Sequence, residues 1–155
     1  MISKPVRILI LFIIGGLIWY GSFYIFFILS NAQGVLANPA YQSSKFLKVF
    51  MDYEPLPRML KDSYLIYKGF YLIGTLSLIV FLYLNNRINT NWIKKAFSFS
   101  LIQWALMIPW FEFYLPYNVM HEPFNLVLLE AGLWYGVILL VSVVYSFILN
   151  FKPIY

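Results

Sequence analysis

The chain has 155 residues, of which 62% are hydrophobic and only 11% are charged. Soluble domains carry about 25% charged residues, so this composition is typical of a protein whose apolar surface faces lipid. Because the chain has no cysteine, disulfides, thiolate metal sites and dithiol redox chemistry are excluded. The net charge of +5 does not indicate nucleic-acid binding, since the basic residues are scattered at the ends of the predicted helices, where lipid head groups explain them.

The first predicted element is a membrane span at residues 8–29, which contains no charged residue. A span needs about 20 residues, and Lys4 and Arg7 flank this one on its N-terminal side. A signal peptide is the rival interpretation, because a small-x-small pattern follows the apolar stretch. The stretch is longer than the roughly 7–15 residues of a signal-peptide core, so we predict an uncleaved first helix.

A polar stretch follows, and we predict an amphipathic helix within it at about residues 39–53. Asn38-Pro39 has the pattern of an N-cap followed by a first helical residue. Apolar side chains then recur at the spacing of one helical face, at Phe46, Val49, Phe50 and Tyr53. We expect this helix to lie in the membrane interface. A short helix packed on the protein itself is the alternative.

Three further spans are predicted, at residues 64–84, 96–115 and 124–151. A short polar turn around Arg87 joins the first two, and Trp92 marks the membrane interface ahead of the next span. The sequence shows no internal repeat and no second domain. We therefore predict one all-α transmembrane domain over residues 1–155, a four-helix bundle with a single interfacial helix between its first and second helices.

The distribution of Lys and Arg predicts the orientation. These residues are dense in the short segments on the side of the two termini, whereas the connection at residues 116–123 contains none. The positive-inside rule then favours both termini in the cytoplasm. We expect an integral protein of a bacterial inner membrane that is surrounded by membrane lipids, and either a larger membrane complex or a homodimer is compatible with the sequence.

Ionisable and polar residues converge on the face opposite the termini. Four spans bring the long first loop and the 116–123 connection to the same side, where the candidates for a ligand or proton site gather: Lys68, Glu112, Asn118, His121, Glu122 and Glu130. Glu130 lies seven positions past Pro123, roughly 10 Å deeper along a helix. An acidic residue within a span costs about 2.5–3.5 kcal/mol, so Glu130 must be protonated, paired or facing water.

Structural roles compete with each functional interpretation. A Lys68–Glu130 ion pair that fixes helix packing explains Glu130 about as well as a ligand site does. Glu122 is electrostatically favourable at a helix N-terminus, and Glu112 has the position of a carboxylate that snorkels to the interface. His121 titrates near neutral pH, so a proton relay from it to Glu130 is chemically feasible, although a lone histidine in a loop is more often only solvated.

The sequence assigns no catalytic residue. The spacing of its histidine and carboxylates matches no zinc-protease helix and no Glu-x-x-His di-iron pattern, so we predict no metal and no cofactor. No phosphate-binding loop, dinucleotide fingerprint or serine-hydrolase arrangement is present.

Three interpretations of function remain. The first is an accessory subunit of a membrane complex, or a binder of a lipid or another hydrophobic ligand, with a polar site at one membrane face. The second is a membrane-embedded enzyme that applies Glu and His acid–base chemistry to a lipid-like substrate. The third is a small proton-coupled transporter that works as a dimer.

Overall fold

The computed structural model describes residues 4–49, 63–85, 87–88 and 90–151. It is all-α and 86% helical, with no strand in the part described. The α-helices are α1 (Lys4–Phe23), α2 (Ala32–Leu36), α3 (Ser44–Leu47), α4 (Ser63–Asn85), α5 (Trp92–Glu112) and α6 (Phe124–Phe151). π-helical segments extend α1 and α5, at Tyr24–Leu29 and Phe113–Val119.

Three helices are long and apolar enough to cross a membrane, and they indicate an integral membrane protein. They run over Leu9–Leu29, Tyr67–Asn85 and Phe124–Leu149. These segments match the spans predicted at residues 8–29, 64–84 and 124–151, and the three predictions are confirmed to that extent.

The fourth long helix, α5, is confirmed as a helix but is less apolar than the other three. It has 21 residues and continues into a π-helical segment, where the sequence predicts a span at 96–115. Six polar or charged side chains lower its mean hydropathy, at Lys94, Lys95, Ser98, Ser100, Gln103 and Glu112. Length and composition alone therefore assign three spans, and the fourth needs a further argument.

The long helices form an up–down–up–down arrangement of two antiparallel pairs. Helix α1 packs along α4, α5 packs along α6, and contacts between α1 and α6 join the two pairs. In contrast, α4 and α5 touch only slightly. A lateral groove therefore separates α4 from α5.

The closest helix approach is between α1 and α4. A Cβ atom added to Gly74 would lie 2.3 Å from the carbonyl oxygen of Gly15, and one added to Gly15 would lie 2.7 Å from the carbonyl oxygen of Gly74. Small residues allow membrane helices to approach this closely. The hydroxyl of Tyr145 in α6 donates a hydrogen bond of 3.0 Å to the Gly74 carbonyl, which ties a third helix to the same crossing.

The predicted interfacial helix begins later than the sequence suggests. Asn38-Pro39 forms a turn in which the Asn38 side chain accepts a 2.9 Å hydrogen bond from the N–H of Ala40. Instead, Ser43 is the N-cap of α3 and accepts a 3.0 Å hydrogen bond from the N–H of Phe46. The predicted start at Asn38-Pro39 is wrong because Asn and Ser side chains can both accept backbone N–H groups, and here Asn38 forms a turn of its own.

The apolar face predicted for this helix lies partly outside the described residues. Phe46 and Val49 are half-buried and Lys45 is exposed, which agrees with an amphipathic segment. Phe50 and Tyr53 lie outside the described residues. The position of this segment in the membrane interface, and the same role for the half-buried Trp92, stay predictions.

Candidate functional site

The backbone is irregular at one end of the bundle, where α1 and α5 both finish in π-helical turns. Each π-helical segment is followed by a residue with a positive φ, Asn31 at 56° and His121 at 58°. Pro116 lies inside the second segment and has no N–H to continue an α-helical ladder. Its carbonyl oxygen instead accepts a 2.9 Å hydrogen bond from the N–H of Glu122. Such π-helical turns are frequent at functional sites.

Three carboxylates meet at this end, and we call Glu112, Glu122 and Glu130 the acidic cluster. Glu112 ends α5 and is 0% exposed, whereas Glu122 precedes α6 and is 2% exposed. Glu130, in the second turn of α6, is half-buried. Each of the three lies near enough to another to interact with it electrostatically. The structure thus brings together three of the six candidate residues.

Glu112 has an unusual environment for a carboxylate. Neither of its oxygens has a hydrogen-bond partner among the described residues, and the same holds for Oε2 of Glu122. An unsatisfied buried polar group costs about 1–3 kcal/mol, and more when it is charged. The predicted snorkelling of Glu112 is wrong, since a fully buried side chain does not reach the interface. Glu130 differs, because its side chain is only half-buried.

The loop between α2 and α3 covers the acidic cluster. Nε2 of Gln42 donates a 2.7 Å hydrogen bond to Oε1 of Glu122 and a 2.9 Å hydrogen bond to the carbonyl oxygen of Leu36. Beside it, the Ser43 hydroxyl donates a 2.6 Å hydrogen bond to the Met120 carbonyl. These contacts fasten the first loop to the connection between α5 and α6.

Gln42 acts directly on the ionisation of Glu122. Burial raises the pKa of the Glu122 carboxyl above its ordinary value, and the hydrogen bond from Gln42 opposes that rise. A donor favours the ionised carboxylate, whereas a low-dielectric environment favours the neutral acid. Burial is the larger influence, so the pKa of the Glu122 carboxyl lies above its ordinary value.

The remaining three candidates lie at the surface. His121 is exposed although its neighbour Glu122 is buried, and Asn118 is also exposed. Asn118 borders an open pocket of about 460 Å³ that Trp110 and Tyr114 also line. Lys68 is exposed on α4. The Lys68–Glu130 ion pair and the relay from His121 stay predictions.

Sequence reasoning missed Gln42. It is an uncharged residue in a polar loop, and its partner Glu122 lies 80 positions away. No local pattern identifies such a contact. Among the described residues, no group of three or more His, Cys, Asp or Glu side chains is arranged to hold a metal ion.

The groove between α4 and α5 is a second feature with the dimensions of a binding site. Its volume is about 290 Å³, and its lining is apolar apart from two residues: Ile73, Leu76, Ser77, Val80, Leu84, Phe99, Ile102, Gln103, Leu106 and Met107. The Ser77 hydroxyl donates a 3.0 Å hydrogen bond to Oε1 of Gln103. Consequently, the two polar side chains satisfy each other across the groove.

No protein-family model matches the chain, and no curated protein or solved structure is detectably similar to it. Any assignment of function therefore depends on the geometry of the acidic cluster and the groove.

Proposed function

We propose that this chain is an integral membrane protein of four spans that binds a lipid or another hydrophobic ligand in the groove between α4 and α5. The single observation that carries the proposal is the groove itself, an apolar opening between two long helices that touch only slightly.

The environment of α5 supports its assignment as the fourth span. Its 21 residues extend about 32 Å, which matches a hydrocarbon core of about 30 Å. Between its first turn and Glu112, its exposed surface is formed by apolar side chains such as Phe97, Leu101 and Leu106. Its polar groups are at its ends or satisfied inside the bundle, as for Gln103. Helix α5 also packs along α6, which is itself of spanning length. These features of α5 fit a membrane environment better than an aqueous one.

The shape of the groove favours a slender apolar ligand. Its volume of about 290 Å³ is at the lower end of the range for ligand pockets, and its walls carry no charged side chain. Exposed apolar residues on both helices, such as Leu76 and Leu106, continue from the groove to the lipid-facing surface. An acyl or isoprenoid chain could enter sideways from the bilayer without crossing a polar barrier.

Gln103 provides a contact for a polar atom of such a ligand. Its carbonyl oxygen accepts from Ser77, and its Nε2 lies 3.8 Å from the Met107 sulfur. A primary amide has two N–H groups, and a thioether is a weak acceptor. A ligand oxygen would be a stronger acceptor at this position, and would fix the depth of the chain in the groove.

The placement in the cell is part of the same proposal. The density of Lys and Arg in the short segments beside the termini supports a cytoplasmic location for both termini. A bacterial cytoplasmic membrane is the proposed location. The acidic cluster then lies at the opposite membrane face.

Neighbouring positions on α4 offer a matched test of the groove. Val80 lines the groove, whereas Ile79 is similarly exposed but does not line it. We expect native mass spectrometry of the wild-type protein, released from nanodiscs, to show a retained lipid. Val80→Trp should lose this lipid because the indole fills the groove, and Ile79→Trp should keep it.

Two results would contradict the proposal. Equal lipid retention by wild type and Val80→Trp would show that the groove is not the binding site. A retained protein subunit that Val80→Trp displaces would instead identify the groove as the docking site of an accessory-subunit partner.

A further inference from the structure

We infer that the acidic cluster is a proton-binding site, in which Glu112, Glu122 and Glu130 together hold at least one proton inside the bundle and exchange it with water at the end covered by Gln42. This inference is independent of the ligand groove, because none of these residues lines it.

The environment of Glu112 carries the argument. Its side chain is 0% exposed, and neither oxygen has a hydrogen-bond partner among the described residues. Moving an ionised carboxylate out of water costs several kcal/mol unless a partner compensates it. Adding a proton removes most of that cost, since it converts the buried ion into a neutral acid.

The neighbouring carboxylates strengthen the same preference. Glu112 faces Glu130 of α6 and Glu122 of the preceding connection, and each negative charge makes the next ionisation less favourable. Gln42 donates to Glu122 and Glu130 is only half-buried, so these two carboxylates have support that Glu112 lacks. The site therefore titrates as one coupled group.

The size of the occupant distinguishes a proton from other cations. No three acidic or histidine side chains in the described part of the chain are arranged to hold a metal ion. An organic ammonium group is larger than a water molecule, and Glu112 is completely covered, so such a ligand would have to displace the surrounding side chains. A proton needs no additional volume.

Glu130 gives the proton a route to solvent, because its side chain is only half-buried. In the exchange step, a hydronium ion transfers its proton to the Glu130 carboxylate and leaves as water. Transfer onward breaks this O–H bond, re-forms the Glu130 carboxylate and creates an O–H bond on Glu112 or Glu122. Oε2 of Glu122 has no hydrogen-bond partner in the described structure, so it can receive the proton.

Infrared spectroscopy of the protein in nanodiscs tests the inference directly, because a protonated carboxyl has a carbonyl band distinct from that of a carboxylate. At pH 7 exposed Glu is ionised, since its usual pKa is about 4.3. We expect the wild-type protein to show a protonated-carboxyl band at pH 7 that shifts in D₂O. Glu112→Gln should reduce or abolish that band.

Further variants keep the test decisive if Glu112→Gln does not fold. Glu122→Gln and Glu130→Gln should each change the pH at which the band disappears, because the three groups are coupled. Gln33→Glu adds a carboxylate at an exposed position and should add no band at pH 7. The inference is overturned if the wild type has no protonated-carboxyl band at pH 7, or if none of the three Glu→Gln variants changes it.

Discussion

The substitution Gln42→Met tests whether the loop between α2 and α3 has only a structural role or also controls the ionisation of the acidic cluster. Methionine keeps the length of the side chain but removes the amide. It eliminates the 2.7 Å hydrogen bond to Glu122 and the 2.9 Å hydrogen bond to the Leu36 carbonyl, together with the 2.8 Å bond that Oε1 of Gln42 accepts from the N–H of Ser43. The Glu122 carboxylate is then left buried without the hydrogen bond from Gln42, whereas the backbone N–H of Glu122 keeps its bond to Pro116.

The expected loss of stability follows from the hydrogen bond that the Glu122 carboxylate loses. Leaving one buried polar group unsatisfied costs about 1–3 kcal/mol, and Glu122 is buried, with only 2% of the residue exposed. We expect Gln42→Met to lower the free energy of unfolding by about 2–3 kcal/mol. At about 2–4 °C per kcal/mol for a chain of this size, the midpoint of thermal unfolding in detergent should fall by roughly 4–12 °C.

The pKa of Glu122 determines how the stability difference between Gln42→Met and wild type changes with pH. Burial raises the pKa of folded Glu122, so the native state binds this proton more tightly than the unfolded state does. Its contribution to stability is complete below the unfolded pKa of about 4.3, and is lost as the pH rises through the folded pKa. Without Gln42 the folded pKa rises further, so the difference between Gln42→Met and wild type should grow with pH.

Circular dichroism during heating, at several pH values, measures both effects. Gln33→Met is the matched control, because Gln33 lies in the same loop region and is exposed. Equal midpoints for Gln42→Met and Gln33→Met at every pH would refute the reasoning. A difference that shrinks with increasing pH would show that the hydrogen bond does not act on the ionised form of Glu122.

Three further substitutions, together with Gly132→Ala as a control, test the packing that holds the acidic cluster in place. Gly74→Ala should destabilise the protein by about 1–3 kcal/mol because its Cβ would meet the backbone of α1, whereas Gly132→Ala, with no atom within 4 Å of the added Cβ, should change the thermal midpoint little. Trp104→Phe removes the 2.9 Å hydrogen bond to the Ala131 carbonyl and should cost about 1 kcal/mol. Tyr145→Phe should cost about the same, since it leaves the Gly74 carbonyl without the 3.0 Å bond from Tyr145. Thermal midpoints in one detergent measure all four variants, and a Gly132→Ala loss as large as that of Gly74→Ala would contradict the described α1–α4 crossing.

Apolar runs made the long helices predictable from the sequence. An uncharged stretch such as residues 8–29 has few alternatives to a helix in lipid, because every backbone polar group must be satisfied within the segment. Their pairing was not predictable, since an all-round apolar helix shows no face that must be inside. The 15–74 crossing depends on glycines in two different helices, whereas Gly132 of α6 has no atom within 4 Å of an added Cβ.

The candidate site was predictable in composition but not in detail. The predicted four-span topology brings Glu112, Glu122 and Glu130 to one end, but depth along a helix does not determine which side of the helix a residue faces. The sequence singled out Glu130 by its depth along the helix, whereas Glu112 has the smallest exposed fraction of the carboxylates that the structure describes. Similarly, the local cap pattern at Asn38-Pro39 was outweighed by Ser43, whose hydroxyl also bonds to Met120, 77 residues away.

The central claim, that α5 crosses the membrane and brings the two loops to one face, is tested most directly by site-specific labelling. Because the chain has no cysteine, single cysteines can be introduced at the exposed positions Gln33, Thr90 and Asn118 and treated with a membrane-impermeant maleimide in right-side-out and inverted vesicles. The account predicts that Gln33→Cys and Asn118→Cys are labelled from the same side and Thr90→Cys from the opposite side. Labelling of Thr90→Cys and Asn118→Cys from the same side would show that α5 does not span the bilayer, and would contradict it.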